Sequence, residues 1–273
     1  MATAQCTGTT LRTRTGTRMT MCAITITITI TITDTDTDTD TAMTITPPEL
    51  RRLLALALAI LEREEIIDFN GHFSASLPEG RGLLINAADS VRSRIAEADF
   101  IEIDFDGRPL AGDRTPPMEF HLHAQIYLKR PDVHAVVHTH PRWSTVLSTT
   151  GHGWQPVTMQ AAVLGPVATF PKTASINSAA LGSEVATFLG SAKAALLRRH
   201  GAVSVASSVL DACVQAIYLE ENAHRQYLAL QIGMPEALSA EECALIGANL
   251  SRPALLQKVW DYHLAKHFPN GLV

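Results

Sequence analysis

The stretch "PPMEFHLHAQIYLKRPDVHAVVHTHP", Pro116 to Pro141, decides how the rest of the chain is read. Its first half carries helix formers from about Met118 to Lys129 and must stop before Pro131, because a proline disfavours helical backbone in the residue that precedes it. Its second half, "VHAVVHTH", is a short apolar run rich in valine, the composition of a buried strand. A helix that feeds directly into a buried strand predicts a helix lying on a sheet. That strand ends in imidazoles, which need a reason to be there.

Residues two apart on a strand face the same side, so His138 and His140 project together. His134 shares their parity but lies at the strand's start. Two imidazoles on one face can grip one metal. His200, in "LLRRHGAVSV", ends an apolar strand beside Gly201, where the backbone can turn sharply, and offers a third ligand. Glu119, at the start of the helix, offers a fourth. Three histidines and a carboxylate suit one divalent ion, Zn²⁺ or Mn²⁺, with Fe²⁺ and Co²⁺ also compatible. The alternative is that each histidine is a hydrogen-bonded core residue. His121 and His123 form a rival pair, but two residues apart on a helix diverge, so they should not share a metal. His123 is expected at the surface or an interface, and His121 behind the ligands.

Outward from this centre, "PPELRRLLALALAILEREEIID" from Pro47 has a proline at a helix start and predicts a mostly buried helix. "HFSASLP" and "GLLINA" flank a glycine-rich turn and predict a hairpin; "DFIEIDFDGRPLAG" predicts a second, turning at Asp106-Gly107. "RWSTVLST" is helical, Gly151 to Asn177 is hard to assign, and "AALLRR" and "AVSVA" are strands around His200-Gly201. A long helix from "SVLDACVQ" and a helical tail containing "RPALLQKVWDYHLAKHF" follow. Hairpins interleaved with helices point to a mixed sheet covered by helices in one domain.

The first 46 residues differ from the rest: alternating Thr-Ile and Thr-Asp repeats, the latter too charged and too poor in apolar area to fold. The domain is therefore expected over 47–273, with 1–46 outside it, as a translated repeat before a natural start at Met43 or as a disordered tail. A net charge of -5 with dispersed Lys and Arg gives no footprint for nucleic acid or an acidic membrane. The longest apolar run, Leu53 to Leu61, is far short of the ~20 residues that span a bilayer. Cys6, Cys22, Cys213 and Cys243 show no CxxC spacing, which fits a reducing cytoplasm. No HExxH occurs, which argues against a metalloprotease.

From about Leu50 to Leu230 the chain resembles the class II aldolase/adducin family, which includes L-fuculose-phosphate aldolase and L-ribulose-5-phosphate 4-epimerase. The resemblance rests on "NGHFSASLP", "PMEFHLHAQIYLKRPDVHAVVHTHP" and "LLRRHGAV", in that order. It implies a three-layer αβα sandwich with a mixed, largely antiparallel central sheet. It also implies one divalent metal held by Glu119, His138, His140 and His200, and a homotetramer with active sites at subunit interfaces. Tyr262 and His263 lie where family members bring a C-terminal Tyr or His into a neighbour's site; alternatively they belong to an amphipathic helix. His152 sits in a loop that either reaches substrate or merely turns, and Glu220 and Glu221 are expected on a solvated face.

The departures bear on substrate. Sugar-phosphate members have "GN" where this chain has Gly71-His72, "TG" in the loop that here reads "NAADS", and "SSE" where it has Pro117-Met118-Glu119. Proline has no N–H and methionine no hydroxyl, so a ready phosphate nest is missing. The remaining candidates to hold substrate are Gly71, His72, Ser74, Asn86 and Met118. Loss of the phosphate grip resembles a subgroup of metal-dependent decarboxylases that act on hydroxylated aromatic carboxylates. In that reading His72 donates to a second carboxylate or protonates the carbanion carbon, and Glu119 and Tyr262 are the other catalytic candidates, Glu119 as ligand or as base.

Overall fold

The computed structural model describes residues 46–269. The expectations for the Thr-rich segment, Cys6 and Cys22 lie outside the described residues. Helix α1 (Pro47–Arg63) begins as the sequence predicts. Thr46 caps it, its main-chain N–H donating to Glu49 Oε2 at 2.9 Å, and Pro47 fills a position whose N–H would have no partner.

Seven strands form one sheet: β1 (His72–Ser76), β2 (Leu83–Asn86), β3 (Phe100–Ile103), β4 (Ala135–Thr139), β5 (Ala168–Phe170), β6 (Ala194–Leu197) and β7 (Gly201–Ala206). Their order is β3-β2-β1-β4-β7-β6-β5, antiparallel throughout except for the parallel pair β5–β6. The β1–β2 hairpin forms as expected. The second expected hairpin does not: beyond β3 the chain turns at Asp106-Gly107, but only the single bridge Ile103 to Pro109 closes it. Pro109 has no N–H to continue a ladder.

The remaining helices are α2 (Phe120–Lys129), α3 (Arg142–Ser148), α4 (Ala179–Leu189), α5 (Val209–Leu230), α6 (Ala240–Leu250) and α7 (Pro253–His267). Strand alternation sorts the core into two layers. Phe73, Ala75, Ala135 and Val137 point to the side packed with Leu54, Leu58 and Leu61 of α1 and Ala212 and Ala216 of α5. Leu83, Ile85, Val136, Val203 and Val205 point to the other side, under Leu122 and Ile126 of α2 and Val185 of α4. This is the three-layer αβα sandwich. Each fully buried leucine contributes about 1.5–3 kcal/mol through its removal from water, so the sheet is held from both faces. No described helix is long and apolar enough to cross a membrane.

Parity also fixes which side receives the polar residues. His72 pairs with His138 and Ser74 with Val136 across β1 and β4. His72, Ser74 and His138 therefore share the face covered by α2. Gly201 completes the convergence: a Cβ there would lie 2.1 Å from the carbonyl oxygen of Thr139 and 3.1 Å from His140 Cδ2. Only glycine lets β7 start this close to the end of β4, which is what brings His200 beside the other two imidazoles.

Candidate metal centre

Glu119, His138, His140 and His200 come together from three segments of the chain, each offering one ligand atom within 4.8 Å of every other. His138 ends β4 fully buried, and its Nδ1 donates to the carbonyl of Ala202 at 3.0 Å. His200 Nδ1 donates to the carbonyl of Ala174 at 3.0 Å. Both rings are thereby held with Nε2 as the free lone pair. His140 Nε2 lies 3.0 Å from His138 Nε2, and its far nitrogen faces Asp68 at 3.9 Å.

Glu119 caps α2 and is oriented by a segment the sequence left unassigned. Its Oε1 accepts from Ser175 Oγ at 2.8 Å and from the Ile176 N–H at 2.5 Å. That leaves Oε2 turned inward, 3.4 Å from His138 Nε2 and 3.5 Å from His200 Nε2. Donor atoms about 2.1 Å from a tetrahedral ion are separated by roughly 3.4 Å. The spacing and the neutral-nitrogen-plus-carboxylate chemistry of the set both fit a divalent ion.

Electrostatics match. Burial pushes the Glu119 carboxyl up, but the imidazoles of His138, His200 and His72 turned toward Oε2 outweigh it and hold the group far below the ordinary carboxylate range. Burial, reinforced by His138 and His200, lowers His140 to about 4, so it is a neutral ligand at physiological pH. His200 is displaced upward: burial would lower it, but the Glu119 contact prevails. A cation between them would take the place of that shared proton.

His72 stands at the edge of this group, its Nε2 3.7 Å from Glu119 Oε2, and burial lowers it to about 3. Behind it lies a correction. His123 is not at the surface but fully buried, its Nε2 2.7 Å from His72 Nδ1 and its Nδ1 2.6 Å from Ser74 Oγ. Ser74 Oγ in turn lies 2.8 Å from the Tyr127 hydroxyl. The expectation that His121 and His123 diverge holds, since His121 lies tilted against the Phe120 ring instead. His121 is therefore not placed behind the ligands.

Ser74 and Asn86 are likewise sealed inside the protein. Asn86 Oδ1 accepts from the Phe73 N–H at 2.9 Å, so its task is to tie β2 to β1, not to face a ligand. Gly71 adopts φ +90° and its carbonyl accepts from Arg92 Nε at 2.8 Å, which seats the strand that carries His72. Met118 is 72% exposed at the start of α2. His152 is exposed in its loop.

Glu220 also departs from expectation. It is buried, and its carboxylate accepts from the N–H groups of Trp143 and Ser144 at 2.6 and 2.9 Å, anchoring α3 just after His140. Glu221 pairs with Arg225 on the exposed face, as expected. Ala174, Ser175, Ile176 and Glu220 are site-supporting residues that carried no motif. Glu220 alone left a trace, falling on the apolar stripe of Cys213, Ala216 and Ile217 along α5.

On α7, Tyr262 is 62% exposed and meets His263 edge-on. His263 is buried, and with His267 and Lys266 it surrounds Glu64 Oε1 at 2.7, 2.5 and 2.6 Å. With Lys266 Nζ also 2.9 Å from Oε2, an ammonium already occupies the cation position, so this group is an ion-pair node that ties α7 to the end of α1. Burial opposes ionisation of Glu64, but these donors bring it down to about 2. A carboxylate depressed in the folded state stabilises above its unfolded value and loses that contribution as pH falls through the folded one. Glu64→Gln should lower the melting temperature by about 5 °C at neutral pH. In pH-dependent melts the gap should narrow between pH 4.5 and 2; a constant gap would show that the carboxylate charge is not involved.

A family model for the class II aldolase and adducin N-terminal domain matches residues 51–227. The 3,4-dihydroxyphthalate decarboxylase of Arthrobacter keyseri is 30% identical over 252 residues, 81% of this chain and 95% of that relative. A 5-methylthioribulose-1-phosphate/5-deoxyribulose-1-phosphate aldolase of Rhodospirillum rubrum is 34% identical over 174 residues, 61% of this chain and 76% of that relative. Among solved structures, an aldolase II superfamily protein from Pseudomonas syringae superposes with a TM-score of 0.73 at 24% identity, covering 84% of this chain and 96% of that one, and so shares the fold. With the family model spanning both the Glu119 helix and the His200 turn, the chain belongs to the class II aldolase and adducin family.

Proposed function

We propose that the protein is a divalent-metal-dependent carbon–carbon lyase that decarboxylates a hydroxylated aromatic or heteroaromatic carboxylate. The observation that carries this reading is the start of α2. Pro117 has no N–H, its carbonyl accepts from the Phe120 N–H at 3.0 Å, and the Glu119 carbonyl accepts from the Leu122 N–H at 3.0 Å. These donors, which would hold a phosphate at a helix N-terminus, are spent or missing. The decarboxylase relative, alignable over most of both chains, supports the same choice.

A divalent ion held by Glu119, His138, His140 and His200 would act as a Lewis acid toward negative charge developing on a ligand oxygen. In decarboxylation the bond from ring carbon to carboxyl carbon breaks and carbon dioxide leaves. The electron pair remains on the ring in conjugation with the hydroxyl oxygen, and a proton drawn from solvent water then fills the carbon. Glu119, pinned through Oε1, serves as a ligand in this reading, with His72 facing the substrate beside it. Met118 covers the flat ring. Tyr262, exposed on α7, is assigned to the site of an adjoining subunit in a homo-oligomer. An adducin-like binding role without catalysis would not need four intact ligands.

The test is one batch of metal-loaded enzyme assayed on 3,4-dihydroxyphthalate, fuculose phosphate and ribulose phosphate. Carbon dioxide release should depend on Mn²⁺, Zn²⁺, Fe²⁺ or Co²⁺ and fall by about 10²-fold or more in His72→Ala with metal retained. Turnover of a phosphorylated sugar with no decarboxylation would return the protein to the aldolase or epimerase branch, to which the Rhodospirillum rubrum relative belongs by name.

A further inference from the structure

The buried chain Tyr127–Ser74–His123–His72 runs from the core to the edge of the metal centre through contacts of 2.8, 2.6 and 2.7 Å. Each contact needs one hydrogen, neutral imidazoles carry one apiece, and a hydroxyl can accept twice, so the four groups can be protonated in only three consistent ways. In one direction the Tyr127 hydroxyl donates to Ser74 Oγ, and the Ser74 hydroxyl donates to His123 Nδ1. His123 Nε2–H then donates to His72 Nδ1, and His72 is left with its hydrogen on Nε2. In the other two, His72 carries its hydrogen on Nδ1, either with every donor reversed or with Ser74 accepting from both Tyr127 and His123, and two faults appear. The hydrogen of Tyr127, or that of Ser74 where Ser74 accepts from both neighbours, has no acceptor among the described residues, since the two hydroxyls make no other hydrogen bonds there. The lone pair of His72 Nε2 also faces the Glu119 carboxylate.

A buried donor without an acceptor is strongly disfavoured, and so are two facing lone pairs. We infer that Tyr127, Ser74 and His123 are positioning residues that lock His72 as the neutral Nε2–H tautomer, making it a fixed hydrogen-bond donor to the substrate. The inference deepens the proposed function and rests on it for the identity of the substrate, though not for the tautomer.

The chain also ends blind. Burial raises the Tyr127 phenol far above its ordinary range, so it has no proton to release inward. His72 therefore cannot give up its Nε2 hydrogen and recover it through the core. Of the two roles the sequence allowed, this selects the first: His72 holds an acceptor, and the proton for the ring carbon comes from solvent water. The contact from Nε2 to Glu119, 3.7 Å, is too long for a good hydrogen bond, so the N–H is free for a ligand. The substrate must then place an acceptor there, which a second carboxylate supplies and a neutral hydrocarbon substituent does not.

The experiment is long-range ¹H–¹⁵N correlation on the full-length, metal-loaded protein with ¹⁵N-histidine, His72 being assigned by its loss in His72→Gln. The spectrum should show hydrogen on Nε2 and a bare Nδ1. Hydrogen on Nδ1 would overturn the inference whether or not the enzyme decarboxylates anything. Ser74→Ala, which breaks the chain, should admit the Nδ1–H form and raise the KM for 3,4-dihydroxyphthalate about tenfold, with metal content unchanged. An unaltered tautomer in folded Ser74→Ala would show that the chain does not select it. If that variant does not fold, the spectrum of the unaltered protein decides alone. Failure of all aromatic substrates with an Nε2–H spectrum would count against the proposed reaction and leave the tautomer assignment standing.

Discussion

His138→Ala should leave the protein folded but strip it of metal and activity together. The ring is fully buried and contributes one of the four converging donors. Removing it leaves two imidazoles and a carboxylate around a hole that alanine cannot fill. Loss of one ligand, with its support from the Ala202 carbonyl, weakens metal affinity by well over 10²-fold. Elemental analysis after dialysis should find less than about a tenth of the unaltered occupancy, with turnover falling in proportion. Full occupancy in His138→Ala would sink the assignment of the centre.

The second large effect is expected where no ligand is touched. Gly201→Ala introduces a Cβ that would sit 2.1 Å from the Thr139 carbonyl oxygen. Neither atom belongs to a flexible side chain, so β7 must retreat from β4. Forcing buried backbone apart costs about 3 kcal/mol or more. Denaturant midpoints should report that loss, and metal affinity should fall as well, because His200 moves with the strand. A stable Gly201→Ala that binds metal normally would mean the two strands can separate without disturbing the centre.

Much of the centre could be read from the chain because its ligands obey local rules. His138 and His140 obey the two-residue period of a strand, and His200 stands beside a glycine that the turn requires. The face on which they meet follows from the alternation of Ala135 and Val137 against Val136. What escaped was long-range pairing. His123 was misplaced because its helix was weighed alone. His123 and Tyr127, four apart on α2, form a polar stripe that matches His72 and Ser74, two apart on β1, and only the packing of one element on the other makes the stripes meet. Ser175 and Ile176 act through a hydroxyl and an amide in a loop of small residues, and nothing in side-chain chemistry marks them. Glu220 was misread because charged pairs on helices usually face water.

The segment Ala174–Ile176 holds two candidate ligands at once, His200 through a carbonyl and Glu119 through an amide N–H and the Ser175 hydroxyl. The carbonyl and the amide are atoms that every residue type except proline carries. Ser175 adds its hydroxyl to Glu119 and Ile176 is rooted in the core, so a single insertion or deletion would slide both clamps out of step. The length of this loop is therefore as critical as its side chains. A comparison of related chains that scores only residue matches would pass over one of the parts that shape the candidate metal centre.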